Sequence, residues 1–234
     1  MSRSAGVTDS ALTNHGMLQI EKLAGYFRPV RFTRVFCSPL QRARVTADAL
    51  KKDHGDTIVQ SLIVPCLREK DFGSLEGKSC VSSPATEKRA DFVPAESHEG
   101  LSSRARKFLD DHLFPVLQDD EDEAIAVVSH GIILSVLWRM LRQMCAPLNI
   151  TFGPHASLDS YPIIWSNTGY LELELKVAPT NNQDETCPLP NLSIKVLVIN
   201  GRQHLASLKR TRGIGSSKHD PKQRKMESFF QPPS

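Results

Sequence analysis

A histidine stands at an abrupt change of pattern in AIAVVSHGIILSVLWRML, residues 124–141. Ala124 to Val128 is a short run rich in β-branched residues, preceded by the acidic stretch Asp119 to Glu123, and it reads as a buried strand. From Ile132 the apolar residues Ile133, Val136, Leu137 and Met140 recur at helical spacing, and Gly131 lets the backbone turn between the two patterns. His130 is therefore expected just past the C-terminal end of a strand, beside the first N–H groups of a helix. Ligands of open α/β sheets bind at that place, and the free N–H groups favour an anion. On this pattern alone, a histidine that caps or satisfies a loop is an equal alternative.

The elements that must position this residue alternate along the chain. Leu18, Leu23, Ala24 and Phe27 predict a helix over 13–27, ended by Pro29. RVFCS is a short strand ending at Ser38, and LQRARVTADALKK is a helix with Ala43, Thr46, Ala47 and Leu50 on one face. A strand is expected over 58–64, then a glycine-containing loop in LREKDFGSLEGKS. GLSSRARKFLDDHLFPVL returns to helix, with Leu101, Ala105, Phe108 and Leu109 toward the core. YPIIWS, GYLELEL and LSIKVLVING read as strands, and TNNQDETCPLPN as a polar surface loop. Strands alternating with helices imply an α/β three-layer sandwich, a mostly parallel sheet with helices on both faces. That domain is expected over residues 1–208. Beyond Lys209 the chain turns basic and poor in aliphatic residues, so 209–234 reads as a disordered tail.

Composition narrows the classes. With 234 residues and 40% hydrophobic content the chain can bury a sizeable core. A net charge of +3 is too small to make the whole chain a nucleic-acid binder. Cys37, Cys66, Cys80, Cys145 and Cys187 form no CxxC pair, so neither a zinc knuckle nor a disulfide framework is indicated; Cys37 and Cys145 lie in apolar surroundings and are expected in the core. No apolar stretch is long enough to span a membrane and no hydrophobic signal region opens the sequence, so the expectation is a cytoplasmic or nuclear protein in a reducing compartment.

Separated pieces now line up in one order. DSALTNHGMLQIEKLA resembles the D-x-x-L-T-x-x-G-x-x-Q segment of the histidine phosphatases, the phosphoglycerate-mutase-like superfamily. CSPLQRARVTA resembles its S-x-L-x-R-A-x-x-T-A, LREKDFGSLEG its L-x-E-x-x-F-G-x-x-E-G, and VVSHG its second histidine motif. ESHEGLSSRARKFL fits the E-S followed by R-x-x-x-F-L that lies between the last two. The F-G-x-x-E-G form is similar to the phosphatase branch more than to the mutases. The resemblance implies a phosphoglycerate-mutase-like fold, a phosphorylated substrate or phosphate ion as ligand, and no metal or organic cofactor. It makes Arg42 a phosphate-binding arginine, whose planar fork matches a phosphoryl group. Arg44 next to it is then a solvated helix residue. Glu69 would be the general acid that protonates the leaving oxygen, a role that needs a carboxyl with a raised pKa. His130 would contact the phosphoryl oxygens, with the N–H of Gly131 or Ile132 beside it.

One family element is not matched. The first strand of the fold should end in Arg-His-Gly, which supplies a phosphate-binding arginine and the nucleophilic histidine. Only eight residues precede Asp9, no apolar strand lies among them, and no Arg-His-Gly triplet occurs in the sequence. His15 in NHG is a tempting substitute, but Thr13, Gly16 and Gln19 already match the helix segment that follows the missing motif. The expectation is a domain lacking its first strand, with strand edges left unpaired and the chain as written inactive.

The tail carries a second resemblance. In KQRKMESFFQPPS, Gln223, Met226, Phe229 and Phe230 follow the spacing Q-x-x-M-x-x-F-F. This is similar to the box by which replication and repair proteins bind the sliding clamp, proliferating cell nuclear antigen. One helical turn would bring Met226, Phe229 and Phe230 to one side as an apolar plug, with Pro232 and Pro233 stopping the turn. The resemblance implies a clamp-binding interaction protein as the alternative to an enzyme, with some nuclear residence. Direct nucleic-acid binding through KRTR and KQRK is the weaker reading, since short basic runs in tails are more often solvated segments or import signals.

Overall fold

The computed structural model describes residues 6–52, 60–78, 91–118, 123–154, 156, 162–177 and 191–208. The elements follow the order α1 (Asn14–Phe27), β1 (Arg34–Cys37), α2 (Gln41–Lys51), β2 (Gln60–Ile63), α3 (His98–Phe108), a π-helical turn (Leu109–Leu113), α4 (Phe114–Leu117), β3 (Ile125–Val128), α5 (Gly131–Met144), β4 (Ile150–Phe152), β5 (Tyr170–Val177) and β6 (Leu192–Gly201). Thr13 caps α1, its Oγ accepting the N–H of Gly16 at 3.0 Å, and Ser97 caps α3 in the same way through Gly100. Arg34 fixes the start of β1 to the approach to β3 with a two-pronged bond to the Glu123 carboxylate, 2.6 and 2.8 Å.

β1 lies between β2 and β3, all parallel, with Cys37 level with Ile63 on one side and Val128 on the other. A second sheet has β6 in its centre, parallel to β4 and antiparallel to β5. Helices cover both faces of the first sheet. On one face Leu23, Val35, Cys37, Ala47 and Ala126 pack together beneath α1 and α2. On the other, Phe36, Leu101, Phe108, Ile133, Leu137 and Val196 form the larger core with α3, α4 and α5. Cys37 and Cys145 are both buried and free.

The sheets are not joined by a ladder. In a parallel pair, alternate residues turn their backbone groups toward the neighbour. Ser38 N–H bonds to the Val128 carbonyl at 3.0 Å, so Val128 and Ala126 face β1. Ile125 and Val127 turn theirs the other way, where β3 has no neighbouring strand among the described residues. β5 likewise ends its own sheet. Yet the two strands share both apolar layers: Ile125 and Val127 pack with Leu171 and Leu173 against the larger core, and Ala124 and Val128 with Tyr170 against the smaller.

Several boundaries differ from the sequence expectation. The strand expected over 161–166 is a loop in its described part. Pro162 interrupts it, and the Asn200 side chain, not a neighbouring strand, takes the Ile164 carbonyl and the Ser166 N–H. The single helix expected over 100–117 starts at His98 and passes through the π-helical turn before Pro115. β4 was not anticipated, because three residues carry no period. Residues 53–59, 178–190 and 209–234 lie outside the described ones, and with them parts of the expected strand and surface loop and the whole tail.

Phe108 is 1% exposed and meets Phe36 edge-on, ring centroids 5.6 Å apart. Phe108→Ala is expected to lower the unfolding free energy by about 3–5 kcal/mol, read from the denaturant midpoint at constant slope.

Candidate active site

Level strand ends bring the first two site residues together. The chain leaves β1 at Ser38 and β3 at Ser129, and His130 Nε2 lies 2.8 Å from Ser38 Oγ. Arg42 follows in the first turn of α2, and its Nε lies 3.2 Å from His130 Nδ1. A guanidinium can only donate, so Nδ1 accepts and the proton of a neutral His130 sits on Nε2, donated to Ser38 Oγ. Ser38 Oγ also accepts the Leu40 N–H at 3.2 Å, which holds the turn into α2. The His130 pKa is pushed down to about 3, first by burial and then by the Arg42 and Arg104 cations. Burial also lowers the Arg42 guanidinium from its usual value, opposed by the carboxylates of Asp9, Glu69 and Glu76. Arg42 is half-buried and Arg44 exposed, so the two arginines divide as the sequence pattern implied.

Glu69 arrives from the loop after β2. Its side chain is buried at the start of α5, with Oε2 accepting the Ile132 N–H at 3.2 Å and Oε1 those of Ile133 and Lys70 at 3.3 and 2.9 Å. The helix N-terminus therefore bonds a carboxyl group of the chain itself. The Gly131 N–H has no hydrogen-bond partner among the described residues. The loop has little regular structure of its own, and Arg104 fixes it from α3. That guanidinium donates to the carbonyls of Cys66, Arg68 and Glu69 at 2.7, 2.6 and 3.2 Å, and to both oxygens of Glu96 at 2.7 and 2.9 Å. Glu96 in turn exchanges backbone and side-chain bonds with Asp71. Sequence reasoning quoted the segment that holds Glu96 and Arg104 but gave neither a role; their place in the matched pattern was the available signal.

The segment 6–9 bridges Arg42 and the far end of the same loop. Arg42 donates to the Gly6 and Thr8 carbonyls at 2.6 and 3.0 Å, and Asp9 accepts the Gln41 N–H at 2.9 Å. The Glu76 carboxylate accepts the N–H groups of Gly6, Val7, Thr8 and Phe72 and the Thr8 hydroxyl. Those bonds hold its pKa below the usual carboxylate value against the effect of burial. Gly6 has no room for a Cβ, which would strike Glu76 and the Lys70 carbonyl. His15 lies in the first turn of α1 and makes no bond to these residues. Gln223, Met226, Phe229 and Phe230 lie outside the described residues.

The result is a cationic guanidinium, a neutral imidazole, an unpaired N–H at a helix start and a buried carboxylate, gathered at the C-terminal ends of a parallel sheet. Such a set can bind a phosphoryl group and exchange a proton with an ester oxygen. Among the described residues no group of three or more His, Cys, Asp or Glu side chains is placed to hold a metal ion.

Comparison with known proteins gives this arrangement its class. The model of the histidine phosphatase superfamily (branch 1) matches residues 2–157. The chain belongs to that superfamily. A Schizosaccharomyces pombe protein named as a probable phosphatase is 31% identical over 232 residues, 97% of this chain and 73% of that protein. A Danio rerio protein named as a probable fructose-2,6-bisphosphatase is 30% identical over 123 residues, 49% of this chain and 48% of that protein. Among solved structures, a mycobacterial glucosyl-3-phosphoglycerate phosphatase in complex with VO3 superposes with a TM-score of 0.60 at 19% identity, covering 86% of this chain and 92% of that one. The neighbours share the α/β fold with its parallel sheet and flanking helices.

The depressed pKa of His130 has a readable consequence. Between about 6.5 and about 3 the unfolded chain binds a proton at this position that the folded chain does not, so the contribution of a neutral His130 is complete above about 6.5 and lost as pH falls toward 3. In an NMR titration the His130 ring is expected to stay neutral from about pH 8 to about pH 5, well above its folded value of about 3. A His130 ring that charges within that range would contradict the buried Arg42–His130 contact.

Proposed function

We propose that the chain is a phosphomonoesterase domain that works through a phosphohistidine, with Arg42 and His130 binding the phosphoryl oxygens and Glu69 as general acid. The observation that carries this reading is the convergence of the three, from separate elements, at one end of the parallel sheet. The vanadate complex of the structural neighbour supports an oxyanion as ligand. In the reaction a neutral imidazole attacks phosphorus, the P–O ester bond breaks, and the leaving oxygen takes a proton from Glu69. Water then attacks the phosphohistidine, gives its proton back to Glu69, and releases phosphate. Arg42 offsets charge on the oxygens in both steps. The attacking imidazole belongs on a strand ending in Arg-His-Gly. The edges of β3 and β5, unpaired among the described residues and bordering the same two apolar layers, are suited to take it: parallel to β3, its end would come level with Ser38 and His130.

No Arg-His-Gly triplet occurs in the sequence. The 234-residue chain is therefore expected to turn over a generic aryl phosphate at close to the uncatalysed rate, and an in-frame upstream strand ending in Arg-His-Gly to raise it by about 10⁴-fold or more. Steady-state release of p-nitrophenol from its phosphate is the measurement. Ready turnover by the shorter chain that His15→Ala abolishes would overturn the assignment.

A second reading rests on the tail. We infer that Gln223, Met226, Phe229 and Phe230 bind the DNA sliding clamp, Lys222, Arg224 and Lys225 meeting acidic groups around the pocket. Burying each apolar anchor contributes about 1.5–3 kcal/mol, less the cost of ordering the segment. A peptide of residues 218–234 is expected to bind the clamp in calorimetric titration, and its Phe229→Ala, Phe230→Ala version to bind at least about tenfold more weakly. Equal affinities, or none for either peptide, would end this reading.

A further inference from the structure

The loop that replaces the expected strand, Pro162–Gly169, has no part in the chemistry above, yet it is fixed against the start of α5. The Cβ and Cδ1 of Trp165 lie 3.5 and 3.6 Å from the point where a Cβ on Gly131 would stand. The Trp165 indole donates to Ser135 Oγ at 2.9 Å, and Ser135 donates to the Gly131 carbonyl at 2.7 Å. On the other side Asn200 holds the loop, donating to the Ile164 carbonyl at 2.8 Å and accepting the Ser166 N–H at 3.0 Å. Asn200 does this at a φ of 48°, and Thr168 in the loop itself stands at 56°, the two non-glycine residues with positive φ among those described. Each such position costs about 1–3 kcal/mol, and strain of this kind persists where the surroundings enforce it. One Gly131–Trp165 contact thus ties the loop to the turn that carries His130, while the next N–H groups of α5 hold Glu69.

Against this rigid backing Ile164 is turned outward, 85% exposed. A single exposed isoleucine is ordinary on a protein surface. This one stands next to the residue packed on Gly131, the first residue of the helix whose next N–H groups hold Glu69. From Pro162 to Trp165 the loop offers no ionisable side chain. The phosphoryl group and the rest of a substrate thus meet opposite surroundings, a cation at Arg42 and an aliphatic and aromatic surface at the start of α5. We propose that Ile164 and Trp165 form the leaving-group wall of the site and select monoesters of apolar alcohols or phenols. This rests on the assignment of Arg42 and His130 to the phosphoryl group.

Two non-hydrolysable probes separate the wall from the phosphoryl site. Calorimetric titration of the full chain with phenylphosphonate and methylphosphonate, both as dianions, is expected to show phenylphosphonate binding about tenfold tighter or more. Ile164→Asp, at an exposed position that leaves the core untouched, is expected to remove that preference while methylphosphonate binding stays within about twofold. Trp emission should change on phenylphosphonate binding and lose that change in Trp165→Phe. Equal affinity for the two probes in the parent, or a preference that survives Ile164→Asp, overturns the wall while Arg42-dependent binding of both leaves the phosphoryl site standing. Absence of any binding lost in Arg42→Ala overturns both.

Discussion

A single buried guanidinium holds the site in register. All five N–H donors of Arg104 are used: two on Glu96, and three on the carbonyls of Cys66, Arg68 and Glu69. A cation this buried is tolerated only when paired and fully hydrogen-bonded, and removing either partner leaves the other charge stranded. The carbonyls it gathers belong to a stretch with only short turns of regular structure, so the loop takes its shape from α3. The loop then sets Glu69, Glu69 caps α5, and α5 begins one residue after His130. A change at Glu96 or Arg104 therefore reaches the site through position, and at Arg104 also through the charge felt by His130, although neither touches the Arg42–His130 pair.

The parallel ladder does the complementary work. Pairing Cys37 with Val128 makes the two strands end at one height, which puts Ser38 and His130 within a hydrogen bond of each other. The buried Ser38 hydroxyl has two obligations, to His130 and to the Leu40 N–H, and meeting both sets the angle at which α2 starts. Arg42, in the first turn of α2, can then reach the imidazole. Its other nitrogens are occupied by the Gly6 and Thr8 carbonyls, with Asp9 nearby. An entering oxyanion would compete with neutral carbonyl oxygens for this cation, and its charge favours it.

Much of this could be read from the sequence because the relevant signals are local. The change from a β-branched run to helical spacing around Ser129-His130-Gly131 places the histidine without further information, and the motif order supplies Arg42 and Glu69. What escaped has a common physical reason. Glu76, Arg104 and Asn200 act on backbone groups far away in the chain; Glu76 and Arg104 hold places in the matched motifs, but residue type and spacing do not tell which distant backbone groups they serve. The loop at 162–166 was read as a strand because Ile163, Ile164 and Trp165 have high β-propensity. Propensity does not reveal that the Asn200 side chain satisfies the polar groups that a neighbouring strand would otherwise meet. The turn at Leu109–Leu113 is hidden for a similar reason: one extra residue in a helical turn leaves the apolar spacing nearly intact.

The neutrality of His130 follows from this architecture and bears on how the site would receive an anion. The ring is buried and lies near two cations, so protonation is opposed by desolvation and by repulsion together. A phosphoryl dianion bound at Arg42 removes part of that opposition, since its negative charge offsets the guanidinium seen from the ring. Nδ1 now accepts from Arg42; if the anion draws the guanidinium away, Nδ1 is left to take up a proton and donate to an oxygen of the ligand. Binding of an anion and uptake of a proton are then linked, each favouring the other by the same free energy. Under the proposed assignment, a histidine kept neutral by its neighbours would become a second donor for an anion bound at Arg42, while Ser38 holds the ring in place.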